Sequence, residues 1–320
     1  MKILLIGSEG YLGSLLGSKL SHDGHDVTGF DTGFYREGTL YRASGMTPRT
    51  LSKDLRQTEI EDLRGFDAIV HLAGKNIAGR WTEQFKREIL ESRVRGTLTL
   101  ATAAAASYRQ TGQPRIFLCA SGAGYYGNRG DEVLTEESSA GQGFLAEVSR
   151  QWEGATAPAS EAGVRVVNLR TGVVLARDGG ALKPMLPPFK LGLGGRVGSG
   201  QQYWSWIALD DEIGAMMFLL QNDSLSGPVN AVGPAPVRNA EFVRALGKVL
   251  HRPTIFPLPE WLVKTLLGEM GEELLLTSAR VLPAKLQAAG YRFAHPDLSD
   301  ALRATLRKYP DIQSFVGPTV

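Results

Sequence analysis

Short apolar runs alternate with amphipathic stretches along the first 170 residues. Strand-like runs occupy 1–6, 26–30, 51–55, 67–72, 115–120 and 164–169, and each is short enough for a buried parallel strand. Helical spacing marks 11–20, 82–106 and 143–162 between them. This order predicts an α/β fold of the Rossmann type, a doubly wound parallel sheet with helices on both faces and ligands at the carboxyl ends of its strands.

The pattern of residue types along the chain changes after about residue 175. Proline- and glycine-rich loops follow, then an apolar stretch at 204–220 and a leucine-rich tail at 261–306 that reads as helical. We expect a dinucleotide-binding domain over 1–175. A smaller C-terminal α/β lobe over 176–320 should carry the substrate side, with some segments returning to the main sheet.

Composition narrows the class of partner. Apolar residues make up 43% of the chain and charged residues 21%, and a formal charge of +2 gives no field for nucleic acid or a membrane surface. The one cysteine, Cys119, excludes an internal disulfide framework, and no apolar run reaches the ~20 residues of a membrane span. The opening run leads directly into a glycine turn rather than a signal peptide. We expect a cytoplasmic monomer or homodimer that acts on a small molecule.

The glycine turn after the first apolar run carries the clearest chemistry. Gly7, Gly10 and Gly13 are spaced GxxGxxG, and Tyr11 and Leu12 open the following helix. Such a turn is tight, lets backbone approach a pyrophosphate and points a helix N-terminus at its charge. Between a strand and a helix, the spacing predicts a dinucleotide site, whereas a glycine turn without ligand is the structural alternative.

The end of the second strand suggests which dinucleotide binds. Asp31 follows the turn at the fingerprint spacing, and its carboxylate can accept hydrogen bonds from ribose hydroxyls while repelling a 2′-phosphate. Thr32 adjoins it, and Arg36 in the next loop can instead screen a phosphate. Asp54 and Leu55 are candidates for the adenine side. The cofactor is therefore expected to be NAD, with NADP possible.

Longer motifs show a family resemblance. The runs GSEGYLG, VTGFD, KDLR and VHLAG resemble an extended short-chain dehydrogenase/reductase. The runs HLAGKNIAGRWT, SGAGYYG, FLAEVSRQWE, LRTGVVLARDGG and YWSWIALDDE resemble atypical epimerase-family proteins of the YfcH type, some of which bind NADP. Residues 1–72 look closer to NAD-dependent nucleotide-sugar epimerases. A divergent natural protein and a chimera joined near the HLAG run both fit this difference.

The resemblance implies further site residues by position. Leu72, Ala73 and Gly74 would line the ribose and pyrophosphate, with Arg93 facing them from the crossover helix. Ser121 matches the superfamily's active-site hydroxyl and also borders the cofactor. The segment beside the nicotinamide would comprise Arg170, Thr171, Gly172 and Val173.

The same resemblance shows that a catalytic pair is missing. The superfamily uses a tyrosine as base, with a lysine four residues later that lowers its pKa. Leu145 and Ser149 occupy these positions, and a leucine cannot accept a proton. Tyr126 and Glu147 are replacement candidates, although an aromatic packed in a loop and a solvated helix acid are their structural alternatives. Ser121 alone can polarise a carbonyl.

The remaining polar candidates add little to this site. The histidines show no metal-binding spacing, so no metal is expected. Asp210 and Asp211 are expected to cap a helix, and Lys183 and Arg196 are candidates for binding an anionic substrate. We expect an NAD(P)-dependent oxidoreductase or epimerase acting on a small carbonyl or sugar-nucleotide substrate. The alternatives are a non-catalytic cofactor or redox sensor, or a recombined chain that folds without natural activity.

Overall fold

A computed structural model describes residues 1–31, 51–52 and 58–307 of the chain. Its strands are β1 (Lys2–Ile6), β2 (Asp26–Asp31), β3 (Leu51–Ser52), β4 (Ala68–His71), β5 (Ile116–Gly122), β6 (Val133–Leu134), β7 (Arg165–Thr171), β8 (Val173–Leu175), β9 (Tyr203–Trp204), β10 (Trp206–Ala208), β11 (Gly227–Ala231), β12 (Val237–Arg238) and β13 (Arg280–Val281). Its α-helices are α1 (Tyr11–His22), α2 (Glu83–Thr111), α3 (Phe144–Gly154), α4 (Ala157–Glu161), α5 (Leu182–Lys190), α6 (Leu209–Gln221), α7 (Asn239–Leu250), α8 (Glu260–Gly271), α9 (Ala284–Ala288) and α10 (Leu298–Leu306).

Seven of these strands form one parallel sheet in the order β11-β7-β5-β4-β1-β2-β3. In the register at its centre, Ile6 of β1 lies opposite Phe30 of β2 and His71 of β4. The chain starts in the middle and winds outward in both directions, so the predicted Rossmann-type doubly wound sheet is confirmed. The carboxyl ends of β1, β4, β5 and β7 consequently share one edge.

The core lies in two layers because successive side chains of a strand point to opposite faces. Leu5 belongs to a buried cluster that includes Leu16 of α1 and Met216 of α6. Its neighbour Leu4 belongs to the cluster on the other face, which includes Leu100 of α2. Both layers exclude water from beneath the edge that carries the candidate site.

The segment after residue 175 both joins the main sheet and builds its own core. Strand β11 pairs with β7, whereas β8–β10, β9–β12 and β6–β13 form two-stranded sheets. Trp204, Trp206 and Phe242 are buried with Leu186 in a third cluster. The expected boundary near 175 stays a prediction.

Two stretches expected to be continuous helices are interrupted. The 143–162 stretch ends a helix at Gly154 and restarts at Ala157, because Pro158 lacks the N–H that a continuing helix requires. The 261–306 tail contains α8, a π-helical turn at Glu272–Leu276, β13, α9 and α10. Gly268 has φ 55° and ψ −145°, which breaks the regular helix inside α8.

Candidate functional site

The glycine turn is built by close backbone approach. Gly7 has φ 82°, and a Cβ there would lie 2.9 Å from the backbone N of Ala73. A Cβ on Gly13 would lie 2.0 Å from the Gly7 carbonyl oxygen, so a side chain is excluded there. Gly10 is the N-cap residue of α1 and has no side chain with which to cap that helix. Tyr11 and Leu12 form its first turn, which presents backbone to a ligand as a pyrophosphate requires.

The HLAG segment lies against this turn. Leu72 donates its backbone N–H to the Ile6 carbonyl, and Ala73 is buried. A Cβ on Gly74 would lie 3.1 Å from Arg93 Cζ, so the Arg93 guanidinium packs on that glycine. Arg93 also donates to the Lys75 carbonyl at 2.9 Å. The structure therefore places these predicted residues together beside the glycine turn.

The adenosine side of the predicted site is described only in part. The backbone of Asp31 ends β2 and pairs with Ser52 of β3. Thr32, Asp54 and Leu55 lie outside the described residues, as does Arg36. The assignment of these residues to the cofactor therefore stays a prediction.

Ser121 heads a buried polar network at the carboxyl end of β5. Its Oγ donates to Glu153 Oε1 at 2.7 Å. Arg170 Nε donates to Glu153 Oε1 and Arg170 Nη2 donates to Glu153 Oε2, both at 2.8 Å. The two hydrogen bonds form a bidentate ion pair that is almost wholly buried. Burial alone would lower the pKa of Arg170, but the hydrogen bonds and charge of Glu153 raise it above its usual value. Because the Ser121 proton is donated to Glu153, the Ser121 oxygen is left as an acceptor rather than as the expected donor to a carbonyl.

The two candidate replacement bases have different surroundings. Tyr126 is fully buried, donates to Asn230 Oδ1 at 2.7 Å and accepts from Arg170 at 2.9 Å. Burial raises the pKa of Tyr126 to about 12 despite the Arg170 charge. Glu147 is exposed and accepts from Arg150, which lowers its pKa. Neither environment favours proton exchange near neutral pH, and both assignments stay predictions.

Helix α3 carries the positions of the missing pair. Leu145 lies in its first turn, and Ser149 is buried one turn later. The Glu273 carboxylate accepts from the backbone N–H of Phe144 at 2.5 Å and of Leu145 at 2.8 Å. This cap satisfies two N–H groups that a helix leaves unpaired at its start. The C-terminal part of the chain therefore holds the start of α3 in place.

A cleft of about 500 Å³ opens beside this helix start. Backbone of Gly124 and side chains of α3, α8 and the π-helical turn border it, including Leu145, Lys264 and Glu273. Thr277, which follows the π-helical turn, borders it as well. Lys183 and Arg196, the expected anion-binding cations, are not among its lining residues. The volume of this cleft lies within the range of small-molecule sites, although polar groups make up more of its lining than apolar groups do.

The last residue of β7, Thr171, contacts a buried acid of α6, Glu212. Thr171 Oγ1 donates to Glu212 Oε1 at 2.8 Å, and Glu212 Oε2 is buried without a hydrogen-bond partner among the described residues. Burial raises the pKa of Glu212 to about 8, although the Thr171 hydrogen bond opposes the shift. Gly172 packs against backbone, since a Cβ there would lie 2.3 Å from the Ser205 carbonyl, and Val173 starts β8. The predicted nicotinamide segment thus rests on a buried carboxyl.

Other polar expectations are refined by the structure. Asp211 does not cap its own helix as expected: its carboxylate accepts from the backbone N–H of Ala294 and His295, because α6 packs against that loop. His71 is buried, and its Nε2 forms a hydrogen bond with Thr97 Oγ1 at 3.0 Å. Burial lowers the pKa of His71 to about 4. Among the described residues no cluster of His, Cys, Asp or Glu can hold a metal ion.

Three acids of the site were not among the predicted site residues: Glu153, Glu212 and Glu273. Glu153 and Arg170 are 17 positions apart, and Glu273 reaches α3 from 128 positions away. Glu212 was overlooked beside two acids of the same run. No local spacing identifies such partners, because the fold alone brings them together. The one available signal was the position of Glu153 directly after the FLAEVSRQW run, which carries the positions of the missing pair.

Family models match most of the chain. A model described as the NAD dependent epimerase/dehydratase family matches residues 3–233. The chain belongs to this family. A second model, a domain of unknown function (DUF1731), matches residues 258–305, which include the Glu273 cap. The family extends over the whole Rossmann sheet and ends before α7.

Relatives of this epimerase-family chain match it nearly end to end. An epimerase family protein of Mycobacterium leprae is 40% identical over 303 residues, covering 94% of each chain. The crystal structure of human epimerase family protein SDR39U1 with NADPH has a TM-score of 0.84 at 32% identity, covering 97% of this chain and all of that one. A nucleoside-diphosphate sugar epimerase of Corynebacterium glutamicum has a TM-score of 0.74 at 35% identity, where the match covers 96% of this chain and 58% of that protein.

A helix that spans a membrane must be both long and apolar. Within the described ranges, no helix combines the length and apolar character needed to span a bilayer.

Proposed function

We propose that this epimerase-family protein binds a nicotinamide dinucleotide and acts as an oxidoreductase or epimerase on a small hydroxyl or carbonyl compound. The observation that carries the proposal is the turn at Gly7 and Gly13, where any Cβ would strike backbone and α1 starts at a glycine N-cap. Ser121 lies at the end of β5 on the same edge of the sheet. That arrangement suits a diphosphate on the turn and a substrate beside Ser121.

We infer a preference for NAD over NADP from Asp31. A carboxylate at the end of β2 accepts from ribose hydroxyls and repels a 2′-phosphate. The human relative, solved with NADPH, supports the nicotinamide dinucleotide class and makes NADP the competing cofactor. When bound, the nicotinamide would supply a hydride acceptor or donor.

Ser121 and Glu153 are the groups we assign to the substrate side. The Ser121 oxygen can accept a hydrogen bond from a substrate hydroxyl while its own proton points to Glu153. A proton leaving that hydroxyl would pass to Ser121 as the Ser121 proton passes to Glu153. Protonated Glu153 would leave the buried Arg170 charge unbalanced, which opposes the step. We therefore expect slow turnover.

Loss of Ser121 tests this assignment. Cofactor-loaded protein is scanned against sugar nucleotides, aldehydes, ketones and alcohols at the absorbance band of the reduced nicotinamide. We expect turnover of one class, reduced at least ~100-fold in Ser121→Ala. Ser139→Ala is the matched control, because that serine is exposed. Turnover that survives in Ser121→Ala would remove Ser121 from the chemistry.

A cofactor-sensing protein without turnover is the second candidate function. The observation favouring it is that Leu145 occupies the position of the family's catalytic base. The Glu273 carboxylate caps the start of the helix that carries Leu145. A sensor binds the dinucleotide and gains stability by mass action, but leaves every carbonyl and alcohol unchanged. Binding without any absorbance change across the panel would decide for the sensor.

The finer family placement is also part of the proposal. We propose that the chain belongs to the YfcH-type subgroup of the epimerase family and that the protein is cytoplasmic. We prefer natural divergence for the first 72 residues, because the match to one relative spans 94% of the chain and therefore includes most of this segment. A recombined chain remains the alternative, and a monomer or homodimer is expected.

A further inference from the structure

Two neighbouring loops of the C-terminal part expose large apolar side chains. Leu191 and Leu193 follow α5 and are 74% and 55% exposed, whereas Ile255 and Phe256 precede α8 and are 72% and 53% exposed. We call these four side chains the apolar knob. Side chains exposed to this extent project from the surface rather than line a groove, and such a group on a water-soluble fold marks an interaction surface.

Backbone contacts place the two loops side by side. The Phe256 N–H donates to the Gly194 carbonyl at 3.3 Å. A Cβ on Gly192 would lie 3.5 Å from Pro253, and Arg252 Nε donates to the Lys190 carbonyl at 2.8 Å. The apolar knob is therefore one surface feature made from two separate stretches of chain.

The two chain segments that carry the apolar knob contain basic residues and lack acidic ones. Neither 179–209 nor 242–259 contains an aspartate or glutamate. Both segments contain exposed cations, and none of these forms an ion pair with a described residue: Lys183, Lys190, Arg196, Arg244, Lys248 and Arg252. The net charge of +2 conceals this concentration, because acids elsewhere balance it.

We propose that the apolar knob docks on an anionic lipid bilayer. The four side chains enter the boundary between headgroups and acyl chains, and the surrounding cations meet lipid phosphates. A second copy fits poorly, because a two-fold contact sets the same patch against itself and brings cations against cations. The docking is peripheral and departs from the expectation of no membrane partner. It is independent of the proposed function.

Vesicle flotation of the full chain tests the proposal. Vesicles of phosphatidylcholine alone are compared with vesicles that also contain phosphatidylglycerol. We expect binding to the anionic vesicles only, weakened by salt. The pair Leu191→Ser with Ile255→Ser and the pair Lys190→Glu with Arg252→Glu should each lower partitioning at least ~10-fold.

Matched controls lie on α2, far along the chain from the apolar knob. Leu98→Ser removes another exposed leucine, and Arg87→Glu with Arg109→Glu reverses two other exposed cations. Both controls should bind like the parent. Absence of vesicle binding, equal binding to neutral vesicles, or binding unchanged in the knob variants would overturn the proposal. The proposal would also be overturned if size exclusion showed the parent to be a dimer and the variant Leu191→Ser with Ile255→Ser to be a monomer.

Discussion

Glu212 is a buried acid that we expect to hold a proton in the folded protein near neutral pH. Both of its carboxyl oxygens are removed from water, and Thr171 supplies the one hydrogen bond described to it. Burial therefore raises its pKa from 4.5 to about 8. In the unfolded chain the same carboxyl loses its proton near its ordinary pKa.

The consequence is a pH-dependent penalty on folding. Below the unfolded pKa both states are protonated, so Glu212 does not change the free energy of unfolding. As pH rises toward the folded pKa, the native state binds one more proton and stability falls by about 1.4 kcal/mol per unit. Across the full window the loss reaches an upper limit of roughly 5 kcal/mol and then levels off.

Glu212→Gln isolates this effect, because the amide has nearly the same shape and does not titrate. Urea unfolding at several pH values between 5 and 8 measures the free energy of unfolding of both proteins. Relative to the parent, the free energy of unfolding of the variant should rise by roughly 2 to 4 kcal/mol over that range. Glu137→Gln, at an exposed acid, should show no such trend. Parallel stability curves for Glu212→Gln and the parent would refute the buried, protonated carboxyl.

Three further substitutions probe other parts of the site. Asp31→Ser should raise the affinity for NADP relative to NAD about tenfold, measured by titration with each cofactor, and an unchanged ratio would show that Asp31 does not contact the ribose. Tyr126→Phe should cost about 1 to 3 kcal/mol in urea unfolding and leave cofactor affinity unchanged, since its hydroxyl is held by Asn230. Glu153→Gln should cost about 3 to 5 kcal/mol by leaving the Arg170 charge unpaired, and a loss below about 1 kcal/mol would contradict the buried pair.

The sheet and the glycine turn were predictable because their causes are local. Buried parallel strands require short apolar runs, and the contact between Gly7 and Gly13 requires residues without a Cβ a few positions apart. Helix ends were less accurate. The expected single helix over 143–162 overlooked Pro158, whose missing N–H ends one helix and allows another to begin.

The polar network was not predictable, because its partners are distant along the chain. Arg170 was assigned to the cofactor from its position in the family motif, whereas in the structure its guanidinium donates hydrogen bonds to Glu153 and Tyr126. Glu273 reaches the start of α3 from a segment that the Rossmann pattern does not contain. Such contacts depend on how the C-terminal segments pack on the sheet, which spacing within one segment does not encode.

Calorimetric titration of the purified protein with NADH and NADPH tests the central claim most directly. The account predicts one-to-one binding of at least one of them, with the unfolding midpoint rising as its concentration increases. Saturation by neither dinucleotide at millimolar concentration, with an unfolding midpoint that stays constant, would contradict it.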